Sequence, residues 1–423
     1  MTEQALETRK SKPSADAIPW IISVDDHVTE PPDLWTSRLA GKFKDRAPRV
    51  HRDRILVPAD AREMSGNIKI GDPQGRVADY WTYDNRPMRS GLLIPASHAV
   101  GFEDKKLGNI PMTYDEVHRG SWDRSVRLAD MTSNHVEASL CFCNVVSGYA
   151  GQLYLSEPDK DFGMACLQAY NDWMLDDFCA GEGKGRLIPL TLVPLWDPQL
   201  AAREVRRCAA KGGIAVSFVE SPHELGLPSI YSGAWDPFFE ACNETRMNVS
   251  MHIGSSGKIP RTSPDSPYMI TSILMFIDSM TSALDYLLAG VFERYPKLKI
   301  SYSEGQIGWL PYAIRRADKV WAAKDKEGGK YTRTPNPPSS YVEGHIYGCI
   351  FDDDTALLSR DLIGMGQIMM EVDYPHSACS FPNVVEVATG LADIAGLNQE
   401  ERYKFFRGNA IEAYGLERIG LAR

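Results

Sequence analysis

Two spacings of hydrophobic residues alternate along this chain, and from residue 121 onward the alternation is regular. Short apolar runs rich in β-branched residues predict strands at 136–142, 186–193, 214–219, 249–252, 298–302, 345–351 and 367–372. Between them, apolar positions three and four apart predict helices at 122–133, 161–180, 198–211, 234–247, 273–295, 309–323 and 355–360, with two more at 383–395 and 399–406. The 198–211 helix has Pro at its start and Gly212-Gly213 just past its end, where a helix tolerates Pro and favours Gly. An earlier run, Ile21-Ile22-Ser23-Val24, is a further strand and makes eight. Eight strands in βα order predict an α/β protein of the (β/α)8, or TIM-barrel, type.

The pattern loosens between the first and second strands. Residues 45–118 are rich in Arg, Asp, Gly and Pro, with strand-like pieces such as Tyr80-Trp81-Thr82-Tyr83. This stretch reads as an insertion after the first strand that caps the active-site end, since long excursions from compact domains are usually functional. Its aromatic residues also suit a small core of the insertion's own. Residues 1–17 read as a flexible polar arm, and 18–423 as one barrel domain that includes the insertion.

Composition narrows the classes. Hydrophobic residues make up 43% and charged residues 24%, a globular balance, and no apolar run reaches bilayer length. The first twenty residues lack a signal-peptide core, so a cytoplasmic location is expected, without a membrane partner. A net charge of −10 argues against nucleic acid as the main partner. The eight cysteines are scattered through apolar segments, and Cys141-Phe142-Cys143 lacks zinc-thiolate spacing, so buried free thiols are expected.

Chemistry collects where strands end. The first strand runs into Asp25-Asp26-His27-Val28-Thr29-Glu30 before Pro31 and Pro32 stop regular pairing. Period-two alternation puts Asp25 and His27 on one face and turns Asp26 away, and that pair can hold a divalent metal. A hydrogen-bonded Asp and a core His are the alternative for this stretch alone. Three other predicted strands end in the same way, in Met251-His252-Ile253-Gly254, Tyr302-Ser303-Glu304-Gly305 and Met370-Glu371-Val372-Asp373-Tyr374-Pro375-His376. Barrels place reactive groups at the C-terminal ends of their strands, which favours one shared site.

These motifs, with Glu304-Gly305-Gln306-Ile307-Gly308-Trp309 and Gly408-Asn409-Ala410, resemble the amidohydrolase superfamily, in the branch of aminocarboxymuconate semialdehyde decarboxylase and related aromatic-acid decarboxylases. The resemblance covers about residues 20–416. It implies a barrel with one or two divalent metals at its mouth, ligated by Asp25 and His27 in place of the usual His-x-His, by His252 and by Asp373. Glu304 stands where relatives often carry His. Adding Glu30 and His376 gives a candidate metal set of Asp25, His27, Glu30, His252, Glu304, Asp373 and His376, with Asp373, His252 and Glu304 as candidate catalytic groups.

Three functions follow. A Zn or Mn ion could support hydrolysis or non-oxidative decarboxylation of a small carboxylate-bearing or aromatic substrate. The surplus of carboxylates could instead hold two ions, Fe/Fe or Mn/Fe, in an O₂-dependent hydroxylase. Or the barrel could be an inactive subunit of a hetero-oligomer, against which stands the expense of burying seven polar groups. A homo- or hetero-oligomer of barrels is expected in any case. Trp309, Tyr312 and Tyr374 could line the pocket or pack, Arg315 and Arg316 could bind a substrate carboxylate but better suit a solvated helix face, and Asp26 suits a hydrogen bond to nearby backbone.

Overall fold

The computed structural model describes residues 18–57, 68–100, 110–258, 260–323 and 333–422. The expected N-terminal arm, 1–17, lies outside them. The strands are β1 (Ile21–Val28), β2 (Arg49–Leu56), β3 (Lys69–Ile70), β4 (Arg76–Tyr83), β5 (Arg86–Leu92), β6 (Val136–Cys143), β7 (Leu187–Ile188), β8 (Leu190–Thr191), β9 (Ala215–Phe218), β10 (Asn248–His252), β11 (Ile300–Ser303), β12 (Ile346–Ile350) and β13 (Ile368–Met370).

Two runs of parallel strands, β1-β6-β7 and β8-β9-β10-β11-β12-β13, form the barrel. Pro189 alone separates β7 from β8; it has no N–H for the ladder, so one stave is recorded as two short strands. The ring closes between its last and first staves, where the Asp373 N–H donates to the Asp25 carbonyl at 2.8 Å and the His27 N–H to the Tyr374 carbonyl at 2.6 Å. The result is an eight-stave α/β barrel.

Both faces of the staves are covered, which is why they read as continuous apolar runs. Inward residues such as Ile22, Val24, Leu140, Ile188 and Met369 pack with Ile411, Tyr414 and Leu416 of the C-terminal segment in one core. A larger core lies between the staves and the outer helices. The expected helix at 273–295 is three pieces, Tyr268–Leu274, Ile277–Leu288 and Val291–Arg294. Gly290, at φ 70°, makes the second break: a Cβ there would lie 2.6 Å from the Arg333 carbonyl oxygen.

Between β1 and β6 in the chain, four strands form an antiparallel sheet in the order β3-β2-β4-β5. Ile55, Ala78, Leu92 and Ile94 give it a small core. Trp81 instead faces the main core, edge-on to Trp35 with ring centroids 5.5 Å apart. Its indole donates to the Tyr114 hydroxyl, which donates to the Glu30 carbonyl at 2.7 Å, tying sheet to barrel. All eight cysteines are buried free thiols. No helix among the described residues is long and apolar enough to cross a membrane.

Candidate metal centre

The barrel brings Asp25, His27, His252, Glu304, Asp373 and His376 together at the C-terminal ends of its strands. His27 Nε2 lies 3.7 Å from Asp25 Oδ1 and 3.5 Å from Asp373 Oδ1. His252 Nε2 lies 3.6 Å from Asp25 Oδ2 and 3.7 Å from Glu304 Oε2. His376 Nδ1 is 3.0 Å from Asp373 Oδ1, and its ring stacks on that of His27 at 3.8 Å. Two groups are compact enough to share an ion, Asp25-His27-His252 and His27-Asp373-His376. They overlap in His27, so they describe one centre.

Local backbone sets these directions. β1 carries a register shift between Ser23 and Asp26, so strict alternation is broken where the ligands begin. Asp26 is turned aside: its Oδ1 accepts the Tyr374 N–H at 2.8 Å and its Oδ2 the Ser139 hydroxyl. Burial lifts its carboxyl to about 6, while Arg127 and these hydrogen bonds pull it down. Glu304 and Asp373 both sit at positive φ, 51° and 59°, conformations that cost energy and that gather at functional sites.

The imidazoles are set as neutral donors of lone pairs. His252 Nδ1–H donates to the Ile253 carbonyl at 2.8 Å, which leaves Nε2 bare toward the cluster. His376 Nε2–H donates to Asn144 Oδ1 at 3.0 Å and leaves Nδ1 facing Asp373. The Asn144 amide is oriented in turn by donating to Thr29 Oγ1 and to the Ser97 carbonyl. Burial drives the pKa of His27 well down and that of His376 down to about 4, and burial also lowers His252. The Asp25 carboxyl is pushed well up by burial and then by Glu371, Asp373 and Glu304.

This donor set fits a divalent cation. Asp25 is 0% and His27 1% exposed, yet neither Asp25 oxygen, nor His27 Nε2, nor His252 Nε2 has a hydrogen-bond partner. Such groups cost roughly 1–3 kcal/mol each when left bare. Two imidazole nitrogens and carboxylate oxygens converging on one point suit zinc or manganese.

Glu30 is not brought into the group. Its carboxylate accepts the backbone N–H groups of Val145, Val146 and Ser147, each at 3.1 Å, which engages both oxygens and fixes the turn after β6. Tyr312 is exposed on its helix, as are Arg315 and Arg316. The Tyr374 hydroxyl donates to Asp130 and its ring lies under Arg127, a packing role.

The sequence reading missed several neighbours. Glu371 is fully buried; its Oε2 accepts the Glu304 N–H at 3.0 Å, and burial pushes its carboxyl well up. Asn144 orients His376, and Tyr149 stacks on His252 with centroids 4.7 Å apart. Asn144 and Glu371 also stand at strand ends after apolar runs, the signal that picked out the others. His98, hydrogen-bonded to Thr29 Oγ1 at 2.8 Å, had no such signal.

A cavity of about 460 Å³ opens on His27 and His376; Ser90, Leu92 and Ser97 line one side, Asn144 and Tyr149 another. A parallel barrel with cation-ready donors and a cavity at the C-terminal ends of its strands has the architecture of a metal-dependent barrel enzyme. The family model described as Amidohydrolase matches residues 94–416, and the chain belongs to that family.

Among curated proteins, the chain is 24% identical over 314 residues to 2-amino-3-carboxymuconate-6-semialdehyde decarboxylase of Dictyostelium discoideum, covering 72% of this chain and 80% of that one. It is 24% identical over 326 residues to gamma-resorcylate decarboxylase of Rhodococcus jostii, covering 74% and 94%. An amidohydrolase from Mycobacterium avium subsp. paratuberculosis superposes with TM-score 0.66 at 20% identity, over 95% of this chain and 99% of that one. A dihydroxybenzoic acid decarboxylase from Polaromonas, solved with bound manganese and 2-nitroresorcinol, gives TM-score 0.56 at 16% identity, over 96% and 100%. These superpositions establish the barrel fold.

Proposed function

We propose that this chain is a metal-dependent, non-oxidative decarboxylase of a small aromatic or unsaturated carboxylate. The observation that carries the reading is the set of bare donors of Asp25, His27 and His252 beside a cavity of substrate size. The curated relatives are named as decarboxylases, which favours carbon–carbon cleavage over hydrolysis and over the dinuclear Fe/Fe or Mn/Fe hydroxylase. The donor set argues equally against an inactive subunit.

Asp25, His27 and His252 would hold one ion, with Asp373, His376 and Glu304 beside it. Bound there, a manganese or zinc ion would draw electron density from the substrate carboxylate or a neighbouring oxygen. The reaction exchanges one bond for another: R–CO₂⁻ and H⁺ give R–H and CO₂. His252 donates through Nδ1 to the Ile253 carbonyl and offers Nε2 to the cluster, so it acts as a ligand. Asp373, 3.5 Å from His27 Nε2 and 3.0 Å from His376 Nδ1, is then the residue that moves the proton, and the Glu304 carboxylate, 16% exposed, faces His252. Tyr149 and Leu92 wall the cavity against water.

The sheet β2–β5 and the residues after it serve as a cap inserted into the single barrel domain, since Ser90, Leu92 and Ser97 share the cavity with His27 and His376. The test is to incubate purified, manganese-loaded protein with a panel of hydroxybenzoic acids and follow CO₂ release and the product by NMR. Release of CO₂ with the protonated ring, and no O₂ uptake, is the predicted result. O₂ consumption, or hydrolysis of an ester or amide panel without decarboxylation, would refute the assignment.

A further inference from the structure

A second cavity of about 470 Å³ lies on the side of the mouth between β11 and β12, and none of the metal-centre donors lines it. Phe276, Met280 and Trp309 give it an apolar wall, and Gln306, Asp352 and Asp354 a polar one. Asp353 is occupied structurally: its Oδ2 accepts the Ile307 and Gly308 N–H groups and its Oδ1 that of Ala356. Among the described residues, no Lys, Arg or His pairs with Asp352, Asp353 or Asp354.

The informative side chain is Gln306. It is 4% exposed, and its Nε2 donates to Asp352 Oδ1 at 2.6 Å, which fixes which end of the amide is oxygen. Its buried Oε1 then accepts nothing. Gln306 is also held at φ 51°, a strained conformation for a side-chain-bearing residue. The cavity therefore combines unpaired negative charge, an acceptor without a donor, and an aromatic and aliphatic wall. A hydrated metal ion would use the first two of these but not the wall.

We propose that this cavity binds a protonated organic amine, an ammonium group carried on a small apolar or aromatic body. The ammonium N–H groups would donate to Gln306 Oε1 and Asp352, and the body would lie against Phe276, Met280 and Trp309, where the indole face also attracts a cation. The site is independent of the decarboxylase reading.

Calorimetric titration of the full chain with benzylammonium chloride at neutral pH tests it, with benzyl alcohol and calcium chloride as separate probes. Wild type is predicted to show one saturable site. Asp352→Asn should weaken it by at least about tenfold, the loss of one charge-assisted hydrogen bond. Met280→Trp, which fills the cavity, should abolish it, and His252→Ala should leave it unchanged; thermal melts confirm that each variant is folded. No saturable binding to wild type would overturn the proposal. So would binding lost in His252→Ala but kept in Asp352→Asn, which would place the amine at the metal centre, or displacement of the amine by calcium.

Discussion

Two fully buried carboxylates in this barrel meet opposite fates. Glu204, on the outer helix Pro198–Ala210, is 1% exposed and saturated: Oε1 accepts from Asn171 and Arg207, Oε2 from Gln168 and Arg207. Burial pushes its pKa up, but Arg207, Gln168 and Asn171 together more than offset that and hold it below the usual glutamate value. Asp25, at the barrel mouth, is 0% exposed and its carboxylate accepts no hydrogen bond, with Glu371, Asp373 and Glu304 adding negative charge around it. One acid is completed by its own chain; the other would be completed by the divalent cation proposed for the mouth. A buried charge that the fold leaves uncompensated marks function rather than stability.

The contrast can be broken by four experiments. The largest effect is expected at the mouth: Asp25→Asn should lower kcat/KM by on the order of 1000-fold and remove bound metal. Its melting temperature in chelator should equal or exceed wild type, because a like charge has been removed. A large loss of stability in chelator would mean that Asp25 is compensated after all.

Glu220 is an intermediate case that sharpens the comparison. Its Oε1 accepts the Ser279 hydroxyl at 2.5 Å while Oε2 is bare, and burial raises its pKa to about 8. Between the ordinary value of 4.5 and about 8 the folded protein therefore holds a proton that the unfolded chain has lost. Stability falls as pH rises through that window and levels above it. Glu220→Gln should come close to wild type near pH 5 and exceed it near pH 9 by on the order of 4 kcal/mol. Parallel pH profiles of the two proteins in denaturant melts would rule this out.

At the saturated site the order reverses. Arg207→Met strands the Glu204 charge and should destabilise the protein by about 2 kcal/mol, discounted because Arg207 is 31% exposed, while metal content and kcat/KM stay at wild-type values. Urea denaturation and metal analysis on the same sample check both halves. The smallest effect belongs to Asn144→Ala, which removes the acceptor that orients His376 and should lower kcat by about tenfold in steady-state assays with the fold intact. An unchanged kcat would show that His376 needs no such support.

The same contrast explains what could be read from the chain. Asp25, His27, His252, Glu304, Asp373 and His376 each follow an apolar run, so strand ends and barrel logic suffice to gather them. Glu30 has the same local signature, but its fate depends on backbone N–H groups at 145–147, more than a hundred positions on, which no local pattern encodes. Glu371 carries the strand-end signal and by alternation shares a face with Asp373, but the resemblance points only to Asp373, and the hydrogen bond by which Glu371 holds the Glu304 N–H is a tertiary fact. The barrel was legible from period and order. The helix expected at 273–295 was drawn through Gly290, whose left-handed backbone and closeness to the Arg333 carbonyl are tertiary facts. The cavity wall at Ser90, Leu92 and Ser97 has no periodicity that points at the mouth.

The most direct test of the central claim is elemental analysis of the full chain purified without added metal, for wild type and Asp25→Asn side by side. The account predicts about one divalent ion per wild-type chain and almost none in the variant. An active wild-type protein free of metal, or a variant that keeps its ion, would contradict it.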